Sequence, residues 1–102
     1  MLFRSKLAVD VTREDWNSLM ATNLTGTFFM SQEFGKYLIG HQRPGSIVQV
    51  ASVHGIVGAK ERSTYGISKA AILHMTKMLA IEWADYQIRV NVVAPEIGRA
   101  HV

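Results

Sequence analysis

The apolar run Ile47-Val48-Gln49-Val50-Ala51, a long helical stretch from about Ser63 to Ala84 and a second apolar run from about Ile88 to Val93 follow one another in that order. This order constrains the fold more than any other feature of the chain. A strand, a helix and a second strand joined in sequence make a right-handed crossover, which brings the two strands together in parallel. Upstream, Thr12 followed by Arg13, Glu14 and Asp15 gives an N-cap residue with acid in the first turn, so a helix starts there. Trp16, Leu19, Met20, Asn23, Thr27, Met30, Ser31 and Phe34 then recur at spacings of three and four, and Gly40 offers a C-terminal stop. Pro44-Gly45 marks a turn into the first strand, which ends at Ser52, and Val53 to Arg62, with Gly55 and Gly58, reads as a loop. The expected architecture is α/β, with the order helix, strand, helix, strand. No repeat, low-complexity tract or domain linker interrupts it.

Chemistry concentrates in Thr64-Tyr65-Gly66-Ile67-Ser68-Lys69-Ala70-Ala71, where a phenol and an ammonium stand four residues apart and share one helix face. A phenol with its ordinary pKa of about 10 is a poor base at neutral pH until a nearby positive charge favours the phenolate. Lys69 is placed to supply that charge, and a helix starting just before Tyr65 would add its positive N-terminal end. Spacing alone also fits an ordinary helix-start aromatic beside a solvated lysine. Ser52 lies thirteen residues before Tyr65, where the first strand would deliver it to the carboxyl edge of the sheet, the edge at which ligands bind in open α/β folds. Asn23, in Thr22-Asn23-Leu24-Thr25-Gly26-Thr27, is an amide inside a helically patterned stretch, and Ile88-Arg89-Val90-Asn91-Val92-Val93-Ala94-Pro95 follows the second helix.

Taken together and in this order, these segments resemble the short-chain dehydrogenase/reductase family from about Val11 to Pro95. The most specific parts are the Tyr-x-x-x-Lys pair with Ser52 at the family's spacing, supported by Asn23 and the Arg-Val-Asn strand. The resemblance implies a partial Rossmann-like, doubly wound parallel sheet and hydride transfer between NAD or NADP and a small-molecule carbonyl or alcohol. It implies that Tyr65 is the general acid/base and that Lys69 lowers its pKa and hydrogen-bonds the nicotinamide ribose. Ser52 would hold the substrate oxygen, while Asn23 would locally kink its helix and hold a water that links Lys69 to solvent. Tyr65, Lys69 and Pro95 would touch the cofactor. It also implies that the two main helices form a subunit interface, so that the full-length protein is a homodimer or homotetramer.

Composition narrows the class. No apolar run approaches the roughly 18 residues of a membrane span, and Met1 to Lys6 is not a signal peptide. With no cysteine there is no disulfide framework and no thiolate metal site, which fits a cytoplasmic setting. His41, His54, His74 and His101 lie without metal-ligand spacing, so no metal is expected. The net charge is +3, but the basic residues are scattered singly among acids and form no stripe for nucleic acid. His54 could touch substrate or could simply be an exposed loop residue. The second helix carries Ile72, Leu73, Met75, Met78, Leu79, Ile81 and Trp83 on more than one face, which calls either for deep burial or for a second subunit.

The departures from the family are equally specific. The glycine-rich Thr-Gly-x-x-x-Gly-x-Gly turn, the residue that chooses NAD or NADP and the Asn-Asn-Ala-Gly strand are not among these residues. Glu96 stands where the family has glycine, and the segment after it does not fit. The bases ATCGGAAGAGCACACGTC of a widely used sequencing-library adapter would translate as Ile97-Gly98-Arg99-Ala100-His101-Val102, the other reading being a genuine divergent tail. Residues 1–95 are therefore expected to be part of a single Rossmann-type domain, and 96–102 a non-native tail. The activity belongs to the full-length parent, related to 3-oxoacyl reductases or sugar dehydrogenases, and the isolated piece is expected to be inactive. A catalytically silent fragment, or an oligomerising or binding subunit of the same ancestry, is the alternative.

Overall fold

The computed structural model describes residues 6–51 and 63–94. Ser52, His54, the Val53 to Arg62 loop, Pro95 and the tail at 96–102 lie outside the described residues. After a 3-10 turn at Ala8–Asp10, helix α1 spans Arg13–Met20, a π-helical turn covers Ala21–Thr25, and helix α2 spans Gly26–Gly40. Strand β1 is Gly45–Val50, helix α3 is Ser63–Trp83, and strand β2 is Ile88–Val93 after a 3-10 turn at Ala84–Tyr86.

The start of α1 is fixed as its sequence implies. Thr12 Oγ1 accepts from the Asp15 N–H at 3.0 Å and Asp15 Oδ2 accepts from the Thr12 N–H at 3.0 Å, a reciprocal capping box. Lys6 Nζ donates to the same carboxylate at 2.6 Å. These contacts, the Lys6 bond foremost, hold the Asp15 carboxyl down at about 2, below its ordinary 3.8.

The long first helix is not continuous. At Ala21–Thr25 the bonding widens, and the Gly26 N–H reaches back to the Ala21 carbonyl. Such a turn accommodates one extra residue and commonly sits at functional positions. Nor does Gly40 end α2 by turning left-handed. Gln42 takes that conformation, with φ 53°. The Arg43 N–H bonds the Leu38 carbonyl at 2.9 Å and the Gln42 N–H bonds that of Ile39 at 3.1 Å. This is a Schellman closure with a non-glycine residue at its left-handed position.

Strands β1 and β2 pair in parallel, in register from Gly45 opposite Ile88 to Val50 opposite Val93. The strands alternate. Ile47, Gln49, Ile88 and Val90 turn toward the helices, while Val48, Val50 and Val93 face away and remain 61%, 55% and 48% exposed. All three helices lie on one face of the pair, and α3 runs back along it to connect the two strands. Leu38, Leu79, Ile88 and Val90 form the buried core, with Phe28, Ile47, Met75 and Trp83 packed around them. Burial of side chains of this size contributes roughly 1.5–3 kcal/mol each. Two glycines permit the close approach. A Cβ on Gly35 would meet the Trp83 ring at 2.5 Å, and one on Gly45 would collide with Leu38.

Candidate active site

Helix α3 begins at the carboxyl ends of the strands and carries the candidate pair Tyr65 and Lys69 in its first turns. Tyr65 and Lys69 are half-buried, and the Lys69 ammonium lies 5.4 Å from the centroid of the Tyr65 ring. Between them Ser68 is wholly buried and donates to the Tyr65 carbonyl at 2.7 Å. Its Oγ in turn accepts from Asn23 Nδ2 at 3.4 Å. The structure thus brings together three of the four residues singled out for chemistry. The fourth, Ser52, and the cofactor contact at Pro95 lie outside the described residues.

Asn23 sits in the middle of the π-helical turn. The regular helical bonding is therefore broken at the residue where the resemblance implies a kink. Its carbonyl accepts from Thr27 Oγ1 at 2.9 Å while its amide reaches across to α3. The wide turn lets an interior helical position face another helix with both its backbone and its side chain engaged.

Ser68 is a contact the sequence reading missed, since only Tyr65 and Lys69 were singled out in this stretch. The available signal was position. It is one of three residues between the phenol and the ammonium, three after Tyr65, and so falls on the face turned inward. Below this level a second polar group crosses the core. Gln49 Nε2 bonds Ser31 Oγ at 2.6 Å, and Thr76 Oγ1 lies 3.1 Å from Gln49 Oε1 and 2.8 Å from the Ile72 carbonyl. A groove of about 820 Å³ lies at the amino ends of both strands, lined by Pro44, Gly45 and Ser46, by Ala80 of α3 and by Ile88 to Asn91, and Tyr65 is not part of it. Among the described residues no cluster of His, Asp or Glu could hold a metal, and no helix is long and apolar enough to cross a membrane.

A family model described as short chain dehydrogenase matches residues 3–101. The chain is 46% identical over 92 residues to 3-oxoacyl-(acyl-carrier-protein) reductase from Thermotoga maritima, an alignment covering 90% of this chain and 37% of that protein. It is 43% identical over 90 residues to galactitol 2-dehydrogenase from Rhizobium johnstonii, covering 86% and 35%. Among solved structures, a short chain dehydrogenase from Leptospira borgpetersenii with bound NAD+ superposes with a TM-score of 0.89 at 32% identity, covering 98% of this chain and 41% of that one. Other matching solved chains carry NADP. The chain spans little more than a third of the length of the curated relatives it matches.

Proposed function

Because the chain belongs to the short-chain dehydrogenase family, we propose that it is the proton-transfer half of a nicotinamide-dependent oxidoreductase that interconverts a carbonyl and an alcohol. The observation that carries this reading is the Lys69 ammonium 5.4 Å from the Tyr65 ring, at the end of a helix tied to Asn23 through Ser68. In the reduction direction the Tyr65 hydroxyl gives its proton to the substrate oxygen. In oxidation it takes the proton from the alcohol. Ser52 donates a hydrogen bond to the same oxygen and stabilises the charge that develops on it. Lys69 keeps a positive charge beside the phenol, and Asn23 positions the buried turn beneath them and holds a water that links Lys69 to solvent.

The donor set suits a nicotinamide nucleotide. A hydroxyl and an ammonium one helical turn apart, at the carboxyl end of a parallel sheet, can both donate to ribose hydroxyls. Tyr65, Lys69 and Pro95 are the residues assigned to hold NAD or NADP. When bound, that cofactor supplies or accepts the hydride.

The activities for which the relatives are named make 3-oxoacyl groups and sugar alcohols the first substrates to assay. The same reading takes the full-length protein as a cytoplasmic homodimer or homotetramer. In support, the faces of α2 and α3 turned from the core expose Met30 at 75% and Ile81 at 74%. The decisive experiment is Tyr65→Phe in the full-length enzyme that carries this segment. Turnover should fall by about 10²–10⁴-fold, the usual contribution of a positioned acid/base, with cofactor affinity within about twofold of wild type. Turnover that survives the substitution would overturn the assignment.

A further inference from the structure

Three buried polar side chains, Ser31 on α2, Gln49 on β1 and Thr76 on α3, meet in the middle of the molecule at 6%, 4% and 5% exposure. Their bonds of 2.6 Å and 3.1 Å join all three elements through a single glutamine amide. Thr76 has one hydroxyl proton and two acceptors in reach, the amide oxygen and the Ile72 carbonyl. Turning the amide by half a rotation keeps both contacts and resolves the competition. Ser31 then donates to Gln49, Gln49 to Thr76, and Thr76 to the Ile72 carbonyl, in one direction. The network is complete in itself and asks for no ligand.

Its location is what gives it a purpose. Each member lies a short way along the chain from one candidate site residue. Ser31 follows Asn23 by eight residues, Gln49 precedes Ser52 by three, and Thr76 follows Lys69 by seven, about 10 Å along the helix. Below the network the elements meet through apolar side chains such as Leu38, Leu79, Ile88 and Val90. Apolar contact is non-directional and lets packed elements slide by fractions of an ångström, whereas a hydrogen-bonded amide fixes their register. A misplacement of 1 Å at a reacting centre can cost on the order of 10²-fold in rate.

We propose that Ser31, Gln49 and Thr76 are positioning residues, a polar strut that sets the mutual register of α2, β1 and α3 and so of the groups that carry out the reaction. The inference rests on the oxidoreductase reading given above, so Tyr65→Phe serves as the control. If that variant keeps its turnover, the oxidoreductase reading has failed. If it is inactive, the strut is tested by itself.

The test uses the full-length enzyme and compares wild type with an all-apolar strut, Ser31→Ala with Gln49→Met and Thr76→Val, in which no partner is left unpaired. Turnover is expressed per cofactor-binding site, counted by fluorescence titration, so that a misfolded fraction does not register. The thermal midpoint should stay within a few degrees of wild type, while turnover per site falls at least tenfold at unchanged cofactor KM. Wild-type turnover per site in that variant would overturn the proposal. Should the triple variant not fold, the pair Thr76→Val and Thr76→Ser decides. A tenfold loss in the first that is restored in the second, which keeps the hydroxyl, supports the strut. Equal turnover per site in both overturns it.

Discussion

The two ends of the molecule are held together by different forces. At the carboxyl ends of the strands the helices meet through polar atoms, Asn23 against Ser68 and Ser68 against the Tyr65 carbonyl. At the amino ends they meet through Leu38, Leu79, Ile88 and Val90, with Trp83 packed down onto Gly35. The polar contacts contribute little net stability, since each exchanges hydration for a protein partner. They demand specific geometry, however, and the apolar contacts do not. Stability is therefore concentrated away from the candidate site, and geometric precision is concentrated beside it.

Substitutions at the two ends should separate these roles, in the full-length enzyme. The largest effect is expected from Ile88→Ala at the apolar end. Removing that wholly buried side chain should cost about 2–5 kcal/mol in denaturant unfolding, while turnover per folded site stays near wild type. A matching collapse of turnover per folded site would show that the two ends are not separable. At the polar end, Asn23→Ala should do the reverse. Stability should fall by no more than about 1 kcal/mol, and turnover by about tenfold or more. An enzyme left fully active would remove Asn23 from the site.

The smallest effect concerns the start of α1, which belongs to neither end. The Asp15 carboxyl titrates at about 2 in the folded chain against an ordinary 3.8. A depressed pKa means that the folded state binds this proton less readily than the unfolded one, so the contribution is complete above about pH 4 and is lost as pH falls toward 2. In Lys6→Met the main cause of the depression is gone. Its thermal midpoint should decline less steeply between pH 4 and pH 2 than that of wild type. Parallel slopes would show that the Lys6 contact contributes nothing in solution.

What was legible in the sequence follows the same division. The Thr12 cap, the second strand at Ile88–Val93 and the parallel crossover through α3 could be read because capping and periodicity are local properties of a few neighbouring residues. The Tyr65 and Lys69 pair could be read because helical spacing brings such residues onto one face. The Asn23 contact with Ser68 spans forty-five residues, and Gln49 in an otherwise apolar strand carries no sign of which hydroxyls it will meet. The Ile47 to Ala51 run also concealed its alternation. Val48 and Val50 are as apolar as a core strand requires, yet they stand on the uncovered face. Gln42 was hidden for a different reason. Gly40 is the last residue of α2, where the sequence placed the stop, but the left-handed residue that closes the helix is Gln42, two positions later, and no local signal marks a glutamine for that conformation.

The π-helical turn at Ala21–Thr25 has a consequence for sequence comparison and for engineering. A helix with one residue too many in a single turn is a stored insertion, with its surplus absorbed locally so that α1 and α2 each keep their own phase against α3. Excising a single position there, such as Leu24, would let the two helices fuse into one regular rod. That rod would stay well bonded throughout with the phases of α1 and α2 unchanged, yet Asn23 would lose the wide turn from which its side chain reaches α3. An alignment would record such an event as a one-residue gap in an unremarkable helix, and the enzyme would experience it as the loss of its bond between Asn23 and Ser68.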